Sequence, residues 1–266
     1  MSSIRYPHVC KIFGKIPNGC TEPLDACLES GDRVIVKPIN NIQGNLALVN
    51  EYICYKLCSK LEMPIPDAGI TIIDNKTDIV NDEGIITVDN YGYGFYSKRI
   101  DKATIINRNI IPRITNKEDF YKIILFDHLV YNTDRNRGNI LVTLGKNSKM
   151  YMIDHTHVFK NGCIWDRYCF DQGIDLEDFN DRDIIESNNN QYMYSLFWEH
   201  LNQDESVLFN LSETFKSKIT SSDLNLFMSE LPQEWGLSRE NSDALIEYLL
   251  YRLAHIDDMC RIIAGR

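Results

Sequence analysis

The stretch from Asn132 to Asp154 constrains this chain more than any other: it reads NTDRNRGN, then ILVTL, then GKNSK, then MYMID. ILVTL and MYMI are short apolar runs around a turn of Gly, Lys, Asn and Ser, which is a hairpin signal. An antiparallel hairpin returns to its starting point. Asn139, just before the first strand, and Asp154, just after the second, must therefore lie side by side, with cross-strand neighbours about 5 Å apart. Asp134 hangs from the loop leading into the same end. Two carboxylates and an amide oxygen are the hard ligands that magnesium selects. Asp and Asn are also ordinary turn residues that bond their own backbone, so the trio gains meaning only if other groups join it.

Two such groups lie upstream. Arg33 to Lys37, RVIVK, is a β-branched run that Pro38 ends by removing a ladder donor, which leaves Lys37 at a strand terminus. Residues 43 to 61 place Leu46, Val49, Ile53, Leu57 and Leu61 at helical spacing. On that helix Glu51 falls beside Ala47, Cys54 and Cys58, while Lys56 and Lys60 take the polar side. A carboxylate among small semi-apolar residues needs a cationic partner.

The spacing predicts strands at GITIID and GIITVD, separated by the polar loop NKTDIVNDE, with YGYGFYSKRID following. A sheet with one helix is thus expected over residues 1–100. From 101 to 266 helices dominate, with the seam near residues 98 to 103. Thr115 and Glu118 form a capping-box signature before Phe120. Residues 165–190 are rich in Asp and Asn and read as a long loop with short helical turns. Ser222 is the expected cap of SDLNLFMSEL, and a last helix is expected from about Ser242 to Ala264, with Gly265 past its end.

Composition narrows the function classes. Of 266 residues, 28 are Lys or Arg and 38 Asp or Glu, a formal charge of -10 that repels a phosphate backbone, so no nucleic-acid partner is expected. The eight Cys include no C-x-x-C pair, which argues against a zinc knuckle and for reduced thiols. The first residues lack an apolar run with a cleavage site, and no stretch is long and apolar enough to span a bilayer. A soluble, unprocessed, cytoplasmic protein without membrane contact is expected. Trp165, Trp198 and Trp235 read as core and seam aromatics.

Asp134 precedes Asn139 by five residues, as Asp and Asn do in the kinase pattern H-R-D-x-x-x-x-N, and Asp154 occupies the place of the D-F-G aspartate. The order of strand Lys, helix Glu, D-R-x-x-x-N and I-D resembles the HipA-like kinase family, over roughly residues 19 to 160. The resemblance implies an atypical, two-lobed, protein-kinase-like α+β fold, with a sheet-rich first lobe, a helical second lobe and ATP between them. It implies transfer of the ATP γ-phosphate to a protein Ser or Thr hydroxyl with Mg2+. Asp134 would orient the acceptor hydroxyl or act as its base, Asn139 and Asp154 would hold magnesium, Lys37 would clamp phosphate and Glu51 would hold Lys37. A protein substrate, with an antitoxin-like or regulatory protein as a further partner, belongs to the same implication.

Several positions depart from the kinase pattern. No G-x-G-x-x-G precedes Lys37, so a phosphate-covering loop would be built around Gly19, Cys20 and Thr21 in GKIPNGCTEP. Ser97, Lys98, Arg99 and Ile100 at the seam are the expected hinge, with backbone groups free to read an adenine edge. Asn132 and Thr133 replace the His and Arg of H-R-D, Thr156 replaces the D-F-G glycine, and Asn136 replaces a residue that is often basic, a charge that Arg135 or Arg137 would then supply. Three alternatives stay open: a phosphoinositide or small-molecule kinase, a nucleotide-binding pseudokinase acting by recruitment, and a phosphohydrolase with a metal site drawn from Asp127, His128, His155 and His157.

Overall fold

The computed structural model describes residues 6–17, 19–80 and 84–265. Six strands precede residue 100: β1 (Val9–Lys15), β2 (Leu24–Leu28), β3 (Arg33–Lys37), β4 (Ala68–Ile73), β5 (Asp78–Ile79) and β6 (Gly92–Lys98). They form one sheet in the order β4-β6-β3-β2-β1-β5, antiparallel except for β5 against β1. Alternation along the strands decides what each face covers. Leu24, Ala26, Val34 and Val36 meet Val9, Ile12, Ile73 and Ile86 in a small core of their own. Helix α1 (Leu46–Lys60) packs against β4 and β6, and its residues from Ala47 to Cys54 are all buried. An α-helix buried on every side belongs between two layers, and here the second layer is the helical half of the chain.

That half starts from a three-stranded sheet, β7 (Ala103–Ile105), β8 (Ile140–Thr143) and β9 (Met150–Met152), in the order β7-β8-β9. Helices α2 (Phe120–Leu129), α3 (Arg167–Asp175), α4 (Asp183–Glu186), α5 (Asn188–Trp198), α6 (Glu205–Lys218), α7 (Ser221–Ser229), α8 (Arg239–Ala254) and α9 (Ile256–Ile263) complete it. Ile53, Leu57, Ile70 and Phe95 from the first hundred residues join Ile123, Phe126, Leu249 and Ile256 in one larger core. Trp235 is buried and donates its indole N–H to the Tyr93 carbonyl at 2.8 Å, so it pins the C-terminal helices to β6. Trp165 donates likewise to Asn50 of α1 at 2.9 Å.

Five local expectations are corrected. GIITVD is no strand: Asn90 accepts from the Thr87 N–H and closes a 3-10 turn at Val88–Asn90, a side-chain bond that competes with the ladder. Thr115 does not cap α2, because its N–H and hydroxyl both donate to the Ser148 carbonyl at the hairpin turn. Residues 165–190 hold a true helix, α3, capped by the Asp166 carboxylate on the Cys169 N–H. Thr220, two residues before Ser222, caps α7 through a reciprocal box with Asp223. The final helix is two, α8 capped by Ser238 and α9 after a break at His255.

Arg252 of α8 is fully buried and satisfies the open end of α2: its Nε donates to the Leu129 carbonyl at 2.9 Å and its Nη2 to that of His128, while Nη1 reaches Asp178 Oδ1. The His128 ring has no such luck, for neither nitrogen finds a partner among the described residues. Burial, with the Arg252 charge adding to it, pushes the His128 pKa down to about 3. The native state keeps this ring neutral while the unfolded chain protonates it, so stability is complete above the ordinary histidine value and falls as the pH drops from there toward 3. Between pH 6.5 and 5 the loss from this group is about 2 kcal/mol. His128→Leu should therefore narrow the gap between denaturant midpoints measured at pH 7 and pH 5, and an unchanged gap would absolve His128.

Candidate active site

The site is built outward from Arg135. Its side chain is entirely buried, and its Nε and Nη2 grip the equally buried Asp127 of α2 at 2.8–3.2 Å. Its Nη1 donates to the carbonyls of Asn139 and Ile153, both at 3.1 Å, and its own N–H donates to Asn190 Oδ1 at 2.7 Å. One guanidinium thus holds the residue before Asp154, the Asn139 backbone and the loop carrying Asp134. An arginine can only donate, so the His155 Nε2 at 3.1 Å from Nη2 is an acceptor, and burial with the Arg135 charge keeps that ring neutral.

The hairpin brings its ends together: the Ile153 N–H donates to the Asn139 carbonyl at 3.0 Å. Asn139 spends its amide N–H on the Asp134 carbonyl at 2.7 Å, which leaves Oδ1 as its outward group. Asp154 has a φ of 58°, a left-handed conformation that costs a non-glycine residue on the order of 1 kcal/mol. Lys37 ends β3 as expected and ion-pairs with Glu51; its Nζ also lies 2.9 Å from Asp154 Oδ1 and 2.6 Å from Thr156 Oγ1. Burial alone would neutralise the lysine, but Asp154 and Glu51 raise its pKa above the ordinary value. The same contact, with the Thr156 bonds, holds Asp154 well below the usual carboxylate range in spite of its own burial. Glu51 is pushed up by burial against the pull of Lys37, so the ammonium and the Asp154 carboxylate are the firmly charged members of the cluster.

These groups open into a cavity of about 450 Å³ between the first sheet and the β8–β9 hairpin. Lys37, Glu51, Asp134, Asn139 and Asp154 all line it, with Gly19 and Cys20 from the β1–β2 loop and Ser97, Lys98, Arg99 and Ile100 from the end of β6. Thr21 does not reach it and is buried behind the loop. Arg135 and Arg137 do not line it either: the first is committed to Asp127, and Arg137 Nε donates to the Ile106 carbonyl at 3.3 Å. The hinge is less free than expected, since the Lys98 N–H donates to Asp67 and the Arg99 N–H to Arg33. No His/Asp metal site forms: Asp127 and His155 serve Arg135, His128 stands alone in the core, and among the described residues no three His, Cys, Asp or Glu side chains gather as metal ligands.

A profile describing the HipA-like kinase matches residues 9–259. The chain belongs to the HipA-like kinase family. Among solved structures, a Helicobacter pylori proinflammatory kinase, CtkA, aligns over 98% of both chains with a TM-score of 0.61 at 13% identity. A Golgi casein kinase with Mn/ADP bound aligns over 96% of this chain and 74% of its own, with a TM-score of 0.56 at 13% identity. Both likenesses concern the fold, which is the two-part α+β kinase architecture. No curated protein matches the chain in sequence.

Around the cavity of this HipA-like kinase stand further residues to which the sequence pattern gave no part in the phosphate and metal set. Thr156 fills the D-F-G glycine position, and its hydroxyl accepts from Lys37 and donates to Glu51 at 3.2 Å, so the departure adds a bridge to the ion pair. Asn50, next to Glu51, donates to the Thr156 and Gly162 carbonyls at 2.7 and 3.0 Å and ties α1 to the segment after Asp154. Asn136 and Asn189 donate to Asp134 Oδ1 at 3.1 and 2.9 Å, and His157 faces Oδ2. Glu51 and Asp154 mark the ends of that network in the sequence; its middle is visible only after folding.

Removing one member of the Arg135–Asp127 pair strands the other in the core. Asp127→Asn should cost about 3–5 kcal/mol in a denaturant titration, whereas Asp134→Asn, half-buried and held by amides, should cost far less. Equal losses for the two variants would show that Arg135 does not organise the loop.

Proposed function

We propose that this chain transfers the γ-phosphoryl group of ATP, with magnesium, to a Ser or Thr hydroxyl of a protein. The observation that carries the reading is the convergence of Lys37, Asp154, Asn139 and Asp134 on one cavity, with Lys37 held charged by Asp154 and Glu51. The donor set suits a hard cation: Asn139 presents an amide oxygen, and Asp154 an ionised carboxylate whose Oδ1 alone is engaged by Lys37. Magnesium held by these two with the nucleotide would supply charge neutralisation on the phosphate oxygens.

The chain's own residues do the rest by position and charge. Lys37 is an ammonium fixed on a strand, aimed into the cleft and unable to lose its proton, which suits it to the non-reacting phosphates. Asp134 is raised by burial, but the nearby His157 ring and the Asn136 amide outweigh that and hold its pKa below the ordinary carboxylate value. Such a group is a weak base. It orients the acceptor hydroxyl, whose oxygen bonds to the γ-phosphorus as the bond to the bridging oxygen breaks and ADP leaves, and it takes the proton late, as a loose transition state allows. Ile100, the first residue beyond the hydrogen bonds that bind Lys98 and Arg99 to the sheet, offers backbone to the adenine edge. A protein acceptor is supported by the family and by the casein kinase likeness.

The test is transfer of label from ATP to a host lysate in the presence of magnesium. Lys37→Met keeps most of the side-chain stem and removes the ammonium, so it should lower transfer by on the order of 10²-fold or more in a protein that still folds, with a lowered thermal midpoint because Glu51 and Asp154 lose their cation. Full transfer by Lys37→Met would end the reading. Asp134→Ala and Asp154→Ala should part company in calorimetry: magnesium-ATP binding survives the first and is lost in the second. Wild-type binding by Asp154→Ala would remove it from the metal site.

A further inference from the structure

Arg135 and Arg137 both turn away from the cleft, so the positive charge that kinases often place two residues after the catalytic aspartate is missing from this loop. An ionisable side chain does stand beside Asp134, and it comes from the turn that follows β9 and Asp154. His157 lines the cavity, its Nδ1 lies 3.7 Å from Asp134 Oδ2, and its Nε2 lies 3.2 Å from Gln43 Oε1 in the segment leading into α1. The ring rests against Gly162, where a Cβ would come within 3.6 Å of Cδ2 and where the φ of +63° already favours glycine. Asn136 and Asn189 occupy Oδ1 of the same carboxylate, so His157 is the group facing Oδ2.

We propose that His157 supplies the missing charge: it is a positioning residue that fixes Asp134 Oδ2 toward the acceptor hydroxyl and links that orientation, through Gln43, to the position of α1. The proposal rests on the phosphotransfer reading and adds to it. If Nε2–H donates to the Gln43 oxygen, only the doubly protonated ring can also offer Nδ1–H to Asp134. The contact with Asp134 raises the His157 pKa, burial opposes it, Asp154 raises it further and Lys37 opposes; these are the charged groups bearing on the ring. At 3.7 Å the ring stands within ion-pair distance of the carboxylate, and a substrate complex would have to shorten this to a hydrogen bond.

Two measurements test it. In the first, the ring nitrogen shifts of His157 are followed by NMR: the imidazolium should persist above the ordinary histidine range in the wild type and titrate lower in Asp134→Asn. In the second, magnesium-dependent ATP hydrolysis, with water as the acceptor, is compared among variants. His157→Ala should lower kcat on the order of 10²-fold with KM for ATP unchanged; His157→Gln should recover part of it; added imidazole should partly rescue His157→Gly. In an Asp134→Asn background the loss of His157 should have no further effect. Full turnover by His157→Ala, or equal damage to kcat and KM without imidazole rescue, overturns the proposal while leaving the kinase reading in place. A wild type that neither hydrolyses ATP nor labels any protein, with the ring titration intact, overturns the kinase reading and this role with it.

Discussion

A guanidinium and a carboxylate with no exposed surface hold the site together. Arg135 and Asp127 could not be buried separately, since each bare charge would cost several kcal/mol, and even paired they are a weak source of stability compared with apolar side chains of the same volume. What the pair provides is geometry. Five donors in a fixed fork reach Asp127 of α2, the Asn139 carbonyl, the residue before Asp154 and the neutral His155, which closes the network on the Glu51 side. The residue next to Asp134 in the chain is therefore the one that fixes where Asn139 and Asp154 stand.

The same economy joins the two parts of the molecule. Helix α1 is buried by the sheet above and the helices below, and polar ties run in both directions from it. Asn50 reaches the segment after Asp154, Tyr52 and Lys56 reach Glu230 after α7, and Lys60 reaches Asp223 within α7. Glu51 thus sits on an element fixed against both walls of the cleft. Lys37 meets Glu51, Thr156 and Asp154 together, so the ion pair and the carboxylate at the end of the hairpin are already assembled.

Much of this was legible in the residues, for reasons that differ by element. The hairpin could be read because two apolar runs around a turn leave one antiparallel solution, and that solution alone places Asn139 beside Asp154. The partnership of Lys37 and Glu51 followed from a charge on an otherwise semi-apolar helix face. Illegible were the contests between local bonds: Thr115 has a box partner in Glu118 but is taken by Ser148, and Thr87 and Asn90 close a turn within a stretch whose composition suits a strand. Arg135 looked like a cleft cation because its neighbours are cleft residues. Its burial depends on Asp127, eight residues earlier on a helix whose apolar sequence hides a buried carboxylate. Likewise His157 and Gln43 meet only through the tertiary fold, 114 positions apart.

The small core under β1, β2 and β3 has a consequence for how the molecule opens. Val9, Ile12, Leu24, Ala26, Val34 and Val36 pack among themselves and are not continuous with the cluster that unites α1, β4, β6 and the C-terminal helices. In amide exchange terms, a core separate from the main one is expected to lose its protection first, β1 and β2 ahead of α1 and the C-terminal helices. The loop carrying Gly19 and Cys20 joins two strands of that smaller core, whereas Lys37, which ends β3 beside the start of β2, is tied to the larger one through Glu51. Opening of that smaller unit would therefore uncover the Gly19 and Cys20 side of the cavity while Lys37, Glu51 and Asp154 keep their contacts with one another.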